Sequence, residues 1–342
     1  MSSVTIKKNS RENIQDFILN NISSHQHDIV KAAIAKFGVS RQAVLKHVNN
    51  LVNDDKIIAH GKTRDRYYKL KPQLNFTKDL NINKGLSSVK ILENFSPHTE
   101  ILPKNINEIC HYALSVLVNN IKDHSKATFM SIKIFSTYDE THIIVNDNGL
   151  GIFKHIQNQF GLETKKISAI ELAKGPVEST NKRSSGNDIK SLMMLFDSTI
   201  IDSSEISLEY NSKLNHWSLK ESKQAKGTKI QLKIDTKSKK EIKTIFQEMF
   251  SKFTNKVHIP INLARINNEM LCSRDQAKML MNNLNHHQKI VFDFSGIEII
   301  GPSFADELVF LCKEIDNSIK IVCLKASKTV ELIMNSALKR YS

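Results

Sequence analysis

No stretch of this 342-residue sequence is apolar for 18 residues in a row, so a membrane-spanning helix is not expected. The opening residues, MSSVTIKKNSREN, lack the apolar core of a secretory leader, and no secretion signal is expected. Cysteine is scarce. Cys110, Cys272, Cys312 and Cys323 show no C-x-x-C spacing, which argues against a zinc site or a disulfide frame. They read as buried, reduced thiols of a cytoplasmic protein. Acid is in deficit too: 35 Asp and Glu stand against 49 Lys and Arg, a net charge of +14. That excess suits contact with something acidic such as nucleic acid, although a Lys- and Asn-rich chain can also reflect an AT-rich coding sequence. The remaining composition, 25% charged and 40% apolar, is that of a globular protein, and the length calls for two or three domains.

The chain is organised around Asn107–Gly151. Ile109, Ala113, Val116, Leu117 and Ile121 recur at helical spacing and make one buried stripe, flanked by Asn119, Asn120, Asp123 and His124. SIKIF and HIIVN then read as two strands around a turn at Tyr138–Glu140, and the second runs into Asp147-Asn148-Gly149-Leu150-Gly151. A carboxylate just past a buried strand can accept a hydrogen bond from an exocyclic amine such as adenine N6. Glycines at 149 and 151 would let the backbone approach a ligand, and Asn120 could give an oxygen to Mg²⁺. Taken alone, Asp-Asn-Gly is equally a plain turn.

The order ALxxLVNNxxDHS, DNGLGIF, a loop glycine at Gly186, then Gly227-Thr228 before KIQLKI resembles the GHKL ATP-binding fold over about Leu92–Ile234. This is the fold of gyrase-type ATPases, histidine kinases and anti-sigma-factor serine kinases. The resemblance implies ATP and Mg²⁺ as cofactors. It assigns Asn120 to the metal, Asp147 to adenine, Gly149 and Gly151 to the shape of the pocket, and Thr228 to support of the adenine-side hydrogen bonds. Thr180–Asp188 would be the lid over the phosphates. Two departures stand out. Val116 occupies the position where hydrolytic members carry a glutamate, and a valine cannot accept a proton. The usual GxG of the lid is here Gly186-Asn187-Asp188, which brings a carboxylate toward the phosphates. Binding is expected to survive better than hydrolysis. Lys182 and Arg183 either meet phosphate or belong to a solvated loop.

Upstream, Ile14, Phe17, Ile18 and Ile22 space as one helix, and Ile29, Ala32, Ala33 and Phe37 as a second. A turn at Phe37-Gly38-Val39-Ser40 leads to a third, with Val44, Leu45, Val48 and Leu51 inward and Arg41, Gln42, Lys46, His47 and Asn50 outward. KIIAH and RYYKL then form a hairpin. This order resembles the winged helix–turn–helix family. By that resemblance Arg41, Gln42 and Lys46 would enter the major groove, while Lys62, Arg64 and Arg66 of the wing would neutralise phosphates. Residues 1–70 hold twelve Lys and Arg against six Asp and Glu, a net charge of +6. A winged helix used for protein contact is the alternative.

The last third alternates strand and helix: HIPINLA, Ser273–Leu284, KIVFDFSGI, Ser303–Ile315, SIKIVCL and Val330–Ala337. IPINLA, SRDQA and DFSGIEIIGPSFADEL resemble the STAS-like domain found behind GHKL domains in bacterial proteins. In STAS anti-anti-sigma factors a serine at this strand-to-helix turn is phosphorylated. The overlay puts Ser303 there, while the simpler reading makes Ser303 the N-cap of its helix. Arg274 with Asp306-Glu307 reads as an internal ion-pair network.

The expected fold class is α+β multidomain: a winged helix at 1–70, a linker at 71–96, a GHKL α/β sandwich at 97–236 and a small STAS-like α/β domain at 256–342. The leading expectation is a cytoplasmic, DNA-binding regulator governed by a nucleotide. A serine kinase acting on Ser303 or on a partner protein is second, since phosphoryl transfer needs positioning more than a strong base. A scaffold with an inert pocket is third. A sigma-regulatory partner and a homodimer stay open.

Overall fold

The structure, a computed structural model, describes residues 13–62, 65–82, 87–175, 187–251, 256–265, 269–284 and 287–341. It has α+β architecture and divides into two compact units. One holds residues 1–75 with 135–141, and the other holds the rest.

In the first unit, α1 (Ile14–Asn21), α2 (Ile29–Phe37) and α3 (Arg41–Asn53) precede a hairpin of β1 (Ile57–His60) and β2 (Tyr67–Leu70). Phe17, Ile18, Ile29, Ala33, Val48 and Leu51 form its core, as the helical spacing requires. Gly38 closes α2 with a left-handed φ of 64°, and the Ser40 hydroxyl accepts the Ala43 amide at 3.2 Å to cap α3. Tyr138 packs on the same core, and the Ser23 hydroxyl donates to Asp139 at 3.0 Å.

Apart from residues 74–75 and 135–141, the second unit carries a seven-stranded sheet made of β3 (Leu74–Asn81), β4 (Phe129–Ser136), β5 (Glu140–Asp147), β6 (Ser198–Ser203), β7 (Ile206–Asn211), β8 (His216–Glu221) and β9 (Thr228–Asp235). Their order is β3-β4-β5-β9-β6-β7-β8. Residues 71–96, expected as a connector, contain both β3 and most of α4 (Ser88–Thr99). Pro97 lies inside α4 rather than ending it, where it has no N–H to give the Glu93 carbonyl. The long helix α5 (Lys104–Asn120) lays Ile109, Ala113, Val116 and Leu117 into the interior. A single π turn, Ile121–Ser125, follows it.

Strand alternation sets which side chains enter the layer between sheet and helices. Along β5 the buried residues are Thr141, Ile143, Val145 and Asp147, and along β9 they are Thr228, Ile230, Leu232 and Ile234. Asp147 and Thr228 are therefore polar ends of inward rows on paired strands, each next to an apolar neighbour, Val145 and Ile230. Helices α6 (Ile152–Phe160), α7 (Lys165–Lys174) and α8 (Asn187–Leu195) complete this layer. The Thr164 hydroxyl caps α7 through the Ile167 amide, which starts that helix two residues before the apolar pattern does.

After α9 (Ile242–Ser251), the C-terminal part forms a three-stranded parallel sheet of β10 (Lys256–Pro260), β11 (Lys289–Asp293) and β12 (Lys320–Leu324). Helices α10 (Arg274–Leu280), α11 (Pro302–Ile315) and α12 (Lys328–Arg340) accompany it. INLA, expected within a strand, is instead a 3-10 turn at Ile261–Ala264. The Asn262 side chain there donates to the Trp217 carbonyl on β8, one of the two edge strands of the large sheet. A Ser273–Gln276 capping box starts α10. Arg274 meets Glu307 at 3.6 Å and Arg340 meets Asp306 at 3.1 Å, the carboxylates that the sequence placed in an ion-pair network.

Candidate functional site

Three backbone segments converge beneath α5. The Leu150 amide donates to the Ser125 carbonyl at 2.8 Å, joining the π turn to the loop after β5. The Gly227 amide donates to the Gly149 carbonyl at 3.1 Å, joining that loop to the start of β9. Between them lies a cavity of about 350 Å³, lined by Asn119, Asn120, Asp123 and His124 from the helix side and by Asp147, Gly151 and Thr228 from the sheet side. Leu117, Val145, Ile156 and Ile230 supply apolar wall, and Gly175 with Asp188 closes one side. An apolar chamber with a few convergent polar groups is the usual form of a small-molecule site.

Asp147 is buried, and its environment is specific. The Gly149 amide donates to Oδ1 at 2.7 Å. Burial raises the carboxyl above its usual value, while the amides of Gly149 and Thr228 pull it back down. The Thr228 hydroxyl oxygen accepts the Ile152 amide at 2.9 Å, which leaves its proton to be given elsewhere. Asn148 holds the turn in place. Its side-chain oxygen accepts the Thr128 and Phe129 amides at 2.9 and 3.1 Å, pinning the loop to β4.

The glycines serve the protein before any ligand. A Cβ on Gly149 would lie 2.8 Å from the Ser125 Cβ and 2.9 Å from Asp147 Oδ1, and Gly149 does not line the cavity. Gly151, at φ 89°, does line it, and a Cβ there would lie 2.6 Å from the Ser203 hydroxyl. Gly186, Lys182, Arg183 and most of Thr180–Asp188 lie outside the described residues, as does Arg64 of the hairpin. Val116 is buried and is not among the lining residues.

Several cavity residues escaped the sequence. His155 and Gln159, one turn apart on α6, both line the cavity, and the rings of His124 and His155 are 5.2 Å apart. Burial, His124 and Lys126 all lower the pKa of His155, so its neutral form prevails near pH 7. The i, i+4 spacing of the two α6 residues was the available signal. Among the described residues no group of three His, Cys, Asp or Glu side chains could hold a metal. A hard cation at Asn120 would thus take its remaining oxygens from ligand and water, as Mg²⁺ commonly does.

In the first unit, Arg41, Gln42, Lys46, Lys62 and Arg66 are all exposed. The Arg66 guanidinium lies over the Tyr68 ring at 5.5 Å. His47, expected outward, is half-buried with Nδ1 lacking a partner.

Ser303 is not an N-cap. Gly301 takes that place in an extended conformation, Pro302 fills the first helical position with its preset φ, and exposed Ser303 is second.

No helix among the described residues is long and apolar enough to cross a membrane. A family described as STAS-like domain of unknown function (DUF4325) matches residues 276–331, so the C-terminal part is STAS-like. No curated protein matches the chain.

Proposed function

We propose that the chain is a nucleotide-binding regulator in which a GHKL-type site for ATP governs a DNA-binding winged helix at the N-terminus, with the STAS-like domain as a third module. One observation carries the reading: Asn120 and Asp147, separated by 27 positions and a hairpin, line one cavity together with Thr228 and Gly151. The Asp147 carboxylate would accept from the adenine amine, and the Thr228 proton would support the same edge of the base. Asn120 would take one coordination position of Mg²⁺, the ion supplying charge neutralisation for the phosphates. With Val116 at the place of the usual glutamate, binding that orders one arrangement of the protein suits the site better than rapid hydrolysis. For the N-terminal module, the support is an exposed basic set on and after α3 with a net charge of +6 over residues 1–70.

The test is a thermal melt with and without ATP and Mg²⁺. At a hundred times the dissociation constant a bound ligand stabilises by about 2.7 kcal/mol, a shift of several degrees. No shift at millimolar ATP sinks the reading.

Exposure of Ser303 in the first turn of α11 favours one second reading, a serine kinase acting on that residue or on a partner. Free N–H groups of that turn would hold a phosphate. Label transferred from ATP to the wild type and lost in Ser303→Ala would promote it.

A further inference from the structure

The STAS-like domain grips the wall of the cavity. Lys174, the last residue of α7, donates from Nζ to Glu171 Oε1 at 2.5 Å and to the Asn282 carbonyl at 3.0 Å. Asn283 donates to the other oxygen of Glu171 at 3.4 Å. The side chains of Lys174 and Glu171 are only 5% and 3% exposed. A buried ion pair recovers its desolvation cost only when its remaining donors and acceptors are also satisfied. Here the residues that complete it, Asn282 and Asn283, come from the loop after α10. The pair is whole only while that loop is seated.

On the other side, the backbone of the same helix end is part of the cavity. Leu172 and Gly175 line it, and the Lys174 carbonyl between them accepts Lys190 Nζ of α8 at 2.9 Å. The neighbours of Lys190, Asp188 and Ile189, line the cavity as well. Gly175 adopts φ 126°, and a Cβ there would lie 2.5 Å from Lys190 Nζ, so a side chain at this position would push the Lys190 amine aside. A single connection thus runs from the 282–283 loop through the Lys174 side chain and carbonyl to Lys190 and the cavity.

We propose that Lys174 is a positioning residue through which the STAS-like domain sets the wall of the cavity, so that filling the cavity and seating the 282–283 loop stabilise one another. Coupling of this kind is reciprocal. The identity of the ligand rests on the nucleotide reading given above; the mechanical link does not.

The experiment is hydrogen exchange on the full chain, read at residues 279–284, at 189–195 and at β4 as internal control. Without ligand, Glu171→Gln removes the charge that completes the pair. Exchange at 279–284 and 189–195 is expected to rise together by about tenfold or more, with β4 unchanged. A change confined to α7 overturns the proposal. With ATP and Mg²⁺, exchange at 279–284 slows in the wild type and stays fast in Glu171→Gln; binding seen in the melt without slowing at 279–284 also overturns it. If ATP produces no shift in the melt, the nucleotide reading falls, and the ligand-free comparison alone decides the link. Should Glu171→Gln fail to fold, Asn283→Gly removes the 3.4 Å bond, keeps the left-handed φ of 51° that this position holds, and is read the same way, with an expected rise of about two- to threefold.

Discussion

Gly227 and the backbone carbonyl of Asp147 occupy space that admits no additional atom. A Cβ built on Gly227 would collide with that oxygen and lie 2.7 Å from its carbon, and the residue also holds a φ of 72°. Gly227→Ala is therefore expected to cost at least about 2 kcal/mol from left-handed strain and overlap together. Chemical denaturation of the second unit reads this directly. A loss below about 0.5 kcal/mol would mean that β9 can move away from the loop after β5.

Asp147→Asn keeps the shape but changes an acceptor into a partial donor. Affinity for ATP should fall about tenfold or more, since a lost charge-assisted bond is worth about 1.5–3 kcal/mol. Isothermal titration checks it, with circular dichroism to confirm an unchanged fold. Undiminished binding would place the base elsewhere.

Burial pushes the Lys190 amine down to about 8 from its ordinary value of 10.5. Its folded pKa is depressed, so its contribution to stability is complete above the unfolded value and is lost as pH falls through about 8. Stability carried by this group should rise between roughly pH 8 and 10.5. Cys110, raised to about 12 by burial, acts in the opposite direction at alkaline pH, so the difference between wild type and Lys190→Met is the quantity to follow. Lys190→Met should flatten that rise; at neutral pH it relieves the buried charge but also takes the donor from the Lys174 carbonyl, so the slope of the pH profile is the readout and not its level. An unchanged pH profile would show that the amine is hydrated.

For the hairpin after α3, Lys62→Ala and Arg66→Ala should each lower the dependence of log K on log salt by about one, if each contacts a phosphate. Binding of the full chain to duplex DNA across a salt series measures it. Equal slopes would assign these side chains to another surface.

Ser303→Ala should change stability by no more than about 0.5 kcal/mol, because Gly301, not Ser303, caps α11. A cap would have cost about 1 kcal/mol. Denaturation curves separate the two.

Much of the cavity is legible in residue order. The alternation of HIIVND places Asp147 on the same side as Val145, and the helical stripe through Val116, Leu117 and Ile121 brings Asn120 to the same cavity. Both follow from local periodicity alone. What escapes depends on distant contacts. The asparagines that complete the Glu171–Lys174 pair lie more than a hundred positions away, so ELAK on its own reads only as a helix end. Gly149 is hidden for the same reason: the obstacle to a side chain there is Ser125, brought near by the π turn. At α11 the signal is local but easily passed over, since Pro302 in the first helical position moves the cap from Ser303 back to Gly301.

The contact between Asn262 and the Trp217 carbonyl has a consequence for how the molecule can be divided. β8 is a terminal strand, and a bare terminal strand offers its peptide groups to any other chain. A version truncated before β10 would leave the Trp217 carbonyl of that row without its Asn262 donor, and such a fragment should self-associate through β8 more readily than the full chain.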